Sequence, residues 1–175
     1  MTTALKILSD EHQNILKVTG ALLKECDSLQ SGNKIDKDFF KKAIDFIKSY
    51  ADKFHHAKEE DILFVEMCKD EAKIHCNPTQ QMLYEHDLGR DFIKKLGRGV
   101  EEDNNGVIIE NARGYAHLLQ EHIFKEENIL YPMADEALKQ KVKNEILEKF
   151  KQVEQRLIKE KEKHLLFLEE LRSRE

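Results

Sequence analysis

Glycine and proline are scarce in this 175-residue chain, seven and two respectively, and tryptophan is absent. So few turn-formers exclude a many-stranded sandwich or barrel and leave long helices as the expected fold, an all-α one. The three cysteines, Cys26, Cys68 and Cys76, are odd in number and form no Cys-x-x-Cys pair. That excludes a disulfide framework or a thiolate zinc site, and they read as packing residues of a reducing compartment. No apolar run approaches the roughly 18 residues of a membrane span. The opening MTTALKILSDEHQ lacks the basic start and unbroken apolar stretch of a signal peptide. The expected setting is the cytoplasm, with no membrane contact. An excess of basic residues is missing too: 29 Lys+Arg face 34 Asp+Glu, interleaved, for a net charge of −5. Without a basic stripe, nucleic acid is not an expected partner. What the chain does have is 36% charged residues, enough length for one packed domain, and eight histidines that call for an explanation.

From Ala4 to about Leu29, Leu5, Leu8, Ile15, Leu22, Cys26 and Leu29 recur at intervals of three and four, one face of a helix, with His12 filling the gap in the series. Ser31-Gly32-Asn33 supplies a turn, and Asp36 or Asp38 caps the second helix. The stripe of that helix runs Phe40, Ile44, Ile47, Ala51, His55, Glu59, Ile62 and Val65. Asn77-Pro78 starts a third helix with Met82, His86, Gly89, Ile93 and Leu96 on one side, ending between Gly97 and Gly99. The fourth carries Ile108, Ala112, Tyr115, Leu119, His122, Glu126, Ile129 and Met133, with Pro132 expected to kink or end it. Residues 1–134 therefore read as a helical bundle. Residues 135–175 read as one long amphipathic helix with Val142, Ile146, Phe150, Val153, Leu157, His164, Phe167 and Leu171 on a narrow face, to be buried on the bundle or on a partner chain, a homodimer being one outcome.

The chain also repeats itself. HHAKEEDILF, His55 to Phe64, aligns without gaps on HIFKEENILY, His122 to Tyr131, and Leu8-x-x-Glu11-His12 pairs more weakly with Met82-x-x-Glu85-His86. The repeat implies two related helical hairpins with approximate twofold symmetry.

Each of the four helices thus sets one histidine in its apolar seam, and two add a glutamate one turn later on the same side. A lone seam histidine is ordinarily a satisfied core residue. Four of them with two buried carboxylates are a ligand set, because buried charges are normally paired or bound to metal. Imidazole and carboxylate without thiolate favour iron or manganese, with zinc or copper open on affinity, and two carboxylates able to bridge point to two ions. The ferritin-like spacing, Glu three residues before His, is absent, and so is His-Glu-x-x-His.

His12, His55-x-x-x-Glu59, His86 and His122-x-x-x-Glu126, in that order, resemble the hemerythrin-like family with its HHE cation-binding domain over about Ala4 to Met133. The resemblance implies an up-down-up-down four-helix bundle around two iron ions, bridged by Glu59, Glu126 and an oxo or hydroxo group, with one position open to oxygen. Oxygen-carrying relatives place a further histidine four residues after the third-helix one, where this chain has Arg90. His56 is the candidate to replace it. Hemerythrins proper set the last carboxylate five residues after the fourth-helix histidine, so Glu127 stands as alternate to Glu126, and Glu60 likewise to Glu59. The expected metal set is His12, His55, His56, Glu59, His86, His122 and Glu126.

His75 reads as a loop residue, His117 and His164 as packing or surface residues with His117 a candidate gate, and Tyr115 either as a residue that lines the pocket or hydrogen-bonds a ligand or as an ordinary core tyrosine. The expected function is binding or sensing of dioxygen, nitric oxide or iron, with O2 or NO the expected small partner. The alternative is a di-iron oxidoreductase acting on peroxide, dioxygen or nitric oxide, or an iron donor in cluster repair. Repair proteins of that kind carry an N-terminal cysteine-bearing segment, whereas this sequence opens on its first helix. A third reading, a helical interaction module that binds no metal, rests on the C-terminal stripe.

Overall fold

Thr3 begins the first helix: its hydroxyl accepts the Lys6 amide and caps α1, Ala4–Gln30. The computed structural model describes residues 3–72, 74 and 78–173, so His75, Cys76 and Asn77 lie outside the described residues. Gly32, at φ 88°, takes the left-handed conformation that turns the chain, and Asp36 is the cap of α2, its carboxylate accepting the Phe39 amide. The α2 rod covers residues 37–67: α-helical over Lys37–Phe46, wide π-type turns over Ile47–His56 and Glu59–Leu63, then α-helical again over Phe64–Met67. α3 is Thr79–Glu101 and α4 covers residues 105–137, with another π-turn at Glu126–Leu130. α5, Gln140–Arg156, and α6, Ile158–Arg172, complete an all-α fold with no strand among the described residues. Among the described residues no helix is long and apolar enough to cross a membrane.

α1 to α4 form the bundle, and short connections make sequence neighbours antiparallel. α3 runs past Gly99 because that glycine is a contact and not a terminator: a Cβ there would lie 3.0 Å from Val107 and 3.1 Å from Ile108. Two apolar clusters fill the interior. One holds Ile15 to Leu29, Phe39 to Phe54, Ile93 to Val100 and Ile108 to Ile123; the other holds Ala4, Leu8, Ile62 to Met67, Met82, and Leu130 to Ala134. His12, His55, Glu59, His86, His122 and Glu126 all fall in the layer between them, and all are buried.

Val65 and Ile129, expected on the buried stripes, are instead about half exposed. A π-turn bonds i to i+5 and adds a residue to the turn, so the inward face passes to Phe64 and to Leu130 and Tyr131. The same device accommodates Pro132. It sits where the hydrogen-bond ladder returns from the wide to the α spacing, so its missing N–H breaks nothing and α4 continues to Ala137. The C-terminal stripe is divided at Leu157 (φ −109°, ψ 20°) into α5 and α6. Both pack chiefly on α1 and α2, Ile146 and Phe150 entering one cluster and Phe167, Leu168 and Leu171 the other.

Candidate metal centre

The π-turns lie where the candidate ligands lie. Glu59 and Glu126 each open a wide turn in which the backbone is locally expanded, a departure from α geometry that recurs at functional sites. Both carboxylates point into the bundle. Glu126 Oε1 is 3.2 Å from His122 Nε2 and 3.9 Å from His86 Nε2, while its Oε2 is 3.2 Å from His12 Nε2. One oxygen thus faces each side. Glu59 Oε2 is 3.6 Å from both His55 Nε2 and His86 Nε2, and its Oε1 accepts the Tyr131 hydroxyl at 2.6 Å.

Among the described residues the candidate ligand atoms form two buried groups, His12, His55, Glu59 and Glu126 on one side and His56, His86 and His122 on the other, and a third, nearer the surface, of Asp52, His56 and Glu60. His56 stacks on His86 with ring centroids 3.7 Å apart, so the adjacency expected from the sequence brings it to the three-imidazole side. Glu59 Oε2 and both oxygens of Glu126 have no hydrogen-bond partner among the described residues. Three bare carboxylate oxygens at zero exposure fit a cation between them and the Nε2 atoms.

The outward nitrogens carry equal information. His12 Nδ1 faces Glu127 at 3.0 Å, His55 Nδ1 faces Glu11 at 2.9 Å, His86 Nδ1 faces Glu60 at 2.6 Å and His122 Nδ1 faces Glu85 at 2.8 Å. His56 Nδ1 lies 3.4 Å from Asp52. A carboxylate on Nδ1 makes that nitrogen the donor and turns the Nε2 lone pair inward, as metal-bound histidines require. Glu60 and Glu127, the alternates for the bridge, lie on this outer ring at 23% and 32% exposure.

Lys58 donates to Glu11 and Lys125 to Glu85. Glu11, Glu85, Lys58, Lys125, Asp52 and Tyr131 are site residues that seam periodicity does not single out. The first four recur identically in the repeat, as the Glu-His pairs and the Lys before each seam glutamate, and that recurrence is the signal the sequence holds for them.

The electrostatics stem from burial. Desolvation pushes the Glu59 carboxyl well up, reinforced by Glu126. It pushes on Glu126 too, but the facing His122 and His12 outweigh it and hold that carboxyl well below its usual range. His122 is lifted to about 10: burial pulls it down, and Glu126 and Glu85 more than reverse this. His55 and His56 are driven down by burial and neighbouring imidazoles, His56 to about 4. Protons thus stand in for cations at part of the set.

Arg90 bonds Asp52 at 2.7 Å, Glu60 at 2.7 Å and Asp87 at 2.8 Å, so the residue at the absent ligand position ties down the carboxylates behind His56 and His86. Beside it a cavity of about 300 Å³ reaches His56, His86 and His122, walled by Ile93, Tyr115 and Leu119. Tyr115 lines it. His117 is exposed beside Glu121 and does not line this cavity. His164 is buried against Phe46 and Tyr50. Cys26 is buried in the core, whereas Cys68 is exposed and lies 3.5 Å from the Thr79 hydroxyl, so it is not the packing residue expected.

Residues 3–134 match the family model described as hemerythrin HHE cation binding domain. No curated protein and no solved structure matches the chain.

Proposed function

This chain belongs to the hemerythrin HHE cation-binding family, and from that premise we propose that it is a non-haem di-iron protein that binds or senses dioxygen, nitric oxide or iron itself. The observation that carries the reading is the set of three buried carboxylate oxygens, on Glu59 and Glu126, that face imidazole Nε2 atoms and have no hydrogen bond among the described residues. His12 and His55 would hold one ion and His56, His86 and His122 the other, with Glu126 spanning both. Imidazole with carboxylate and no thiolate selects iron or manganese ahead of softer alternatives. When bound, iron supplies a redox-active Lewis acid to which a diatomic molecule can bind.

The protein's own part is positioning and exclusion. The outer carboxylates hold each ring in the tautomer that offers Nε2, and Tyr131 keeps Glu59 turned so that Oε2 faces the histidines. Ile93, Tyr115 and Leu119 line the approach with apolar surface, which admits a small neutral molecule and disfavours ordered water. The partner we assign is therefore O2 or NO, in the cytoplasm, with neither nucleic acid nor membrane involved.

Metal analysis of the protein reconstituted anaerobically with ferrous iron tests the reading: two irons per chain are expected, and none would overturn it. A visible band that appears in air and fades under vacuum is expected for reversible binding. One observation favours a second reading. A volume of about 300 Å³ is some ten times the share of one liquid water, room beyond a diatomic. A di-iron oxidoreductase acting on peroxide, dioxygen or nitric oxide, or an iron donor in cluster repair, would use that room. Oxygen evolution from added peroxide separates the enzyme from the binder.

A further inference from the structure

Lys58 is fully buried, its ammonium bonded to Glu11 and placed 3.8 Å from the Phe54 ring centroid and 5.7 Å from that of Phe150. Glu11 in turn holds His55 Nδ1. Phe150, itself completely buried, belongs to α5, outside the stretch that matches the family model. A continuous path of contacts therefore runs from the C-terminal helices through Lys58 and Glu11 to one side of the metal centre. Glu154 and Lys161, paired at 3.0 Å, close the same region, and Lys161 also approaches the Phe54 ring at 5.6 Å.

The other hairpin has the same Lys–Glu–His relay without the cover. Lys125 bonds Glu85, and Glu85 holds His122, but Lys125 is 32% exposed and its surroundings are a shallow surface of His117, Gln120, Glu121 and Phe124. A buried ion pair keeps its geometry because neither partner has water to turn to, whereas an exposed one exchanges with solvent.

We propose that Lys58 is a positioning residue for His55, that α5 clamps it through Phe150 while α6 closes the region through Lys161, and that the C-terminal segment thereby governs how firmly the His12/His55 side keeps its metal. The inference rests on the metal-centre reading. It assigns the segment beyond the family match a role in metal retention.

The test is extraction of ferrous iron from the loaded full-length protein by bipyridine, followed by absorbance without oxygen. Wild type should release its two irons in two phases. Lys58→Met should accelerate one phase by ten-fold or more, the range expected when a residue supporting a ligand is lost, and leave the other within two-fold. Phe150→Ala should accelerate the same phase by a smaller factor. Phe150→Leu, which stays apolar and keeps most of the side-chain volume, guards against simple unfolding and should fall between wild type and Phe150→Ala at unchanged helical circular dichroism. Lys125→Met should act on the opposite phase, and weakly. Unchanged release in Lys58→Met, or equal acceleration of both phases in the folded variants, would overturn the proposal. Wild-type protein that takes up no iron would overturn the metal-centre reading itself.

Discussion

The two hairpins carry one motif in two environments. In the first, Glu11 and Lys58 lie beneath α5 and α6, and burial pushes the Glu11 carboxyl up to about 7 even with Lys58 bonded to it. In the second, Glu85 is buried too, but its partner Lys125 is about a third exposed; burial pushes Glu85 less than the bonds from His122, Lys125 and Gln81 pull it, and it rests at about 2. Inside the bundle the halves differ again. Tyr131, where the first hairpin has Phe64, bonds Glu59, while His56, where the second has Ile123, adds an imidazole to the other side. A duplicated set of candidate ligands thus sits in two unlike surroundings, because the groups behind the histidines differ between the halves, and such groups set ligand basicity and rigidity.

Glu126 is the element the halves share, so its removal should have the largest effect. Glu126→Ala takes away an oxygen from each side, and iron content measured after reconstitution should fall from two per chain to below one. Retention of two irons would show that Glu126 does not bridge. Next comes the buried relay: Glu11→Gln leaves Lys58 unpaired in the interior, expected to destabilise the metal-free protein by about 3–5 kcal/mol. Glu85→Gln leaves Lys125, about a third exposed, able to turn to solvent, so the loss by the same denaturant titration should be the smaller of the two. Equal losses would erase the distinction between the hairpins.

Smaller effects separate the two metal positions. His56→Ala should weaken one of the two irons by about 10- to 100-fold in a chelator competition, the scale of losing a positioned ligand or its support, while exposed His117→Ala should weaken neither. Tyr131→Phe makes the first position more like the second and leaves Glu59 Oε1 without its donor. About 1–3 kcal/mol of metal-free stability should go with it.

The pH dependence is the mildest handle. His122 has its pKa raised from 6.5 to about 10, Glu126 overcoming the effect of burial. The stabilisation from its protonated form is complete below about pH 6.5 and is lost as pH rises through about 10. Iron needs the neutral ring, so it gains on the proton over the same window. The melting-temperature gap between iron-loaded and metal-free protein should therefore widen from pH 6.5 to 10, and a constant gap would show that His122 is not a ligand.

Much of this was legible in the amino-acid order. The start of α1 at Ala4, a cap at Asp36 or Asp38 and the seam positions of His12, His55, His86 and His122 come from apolar periodicity and turn chemistry alone, and the structure takes Asp36. The extension of α3 past Gly99 and of α4 past Pro132 did not, since both depend on a neighbouring helix or a local change of hydrogen-bond spacing. Val65 and Ile129 were misplaced for the same reason: a π-turn shifts the register of everything after it, and 3.6-residue periodicity cannot foresee that.

By itself the sequence determined that imidazoles and carboxylates share one layer of a helical bundle, because seam positions between apolar residues have nowhere else to go. Only the tertiary structure decided which of two consecutive glutamates faces inward and which supports a histidine from behind. Neighbouring residues on a helix diverge by roughly 100°, and the expanded turns set where each one points. The tertiary structure also decided that the halves are unequal, since α5 and α6 bury Lys58 whereas Lys125 stays about a third exposed. That difference lies in what packs on each hairpin, which no repeat within the ligand motif encodes.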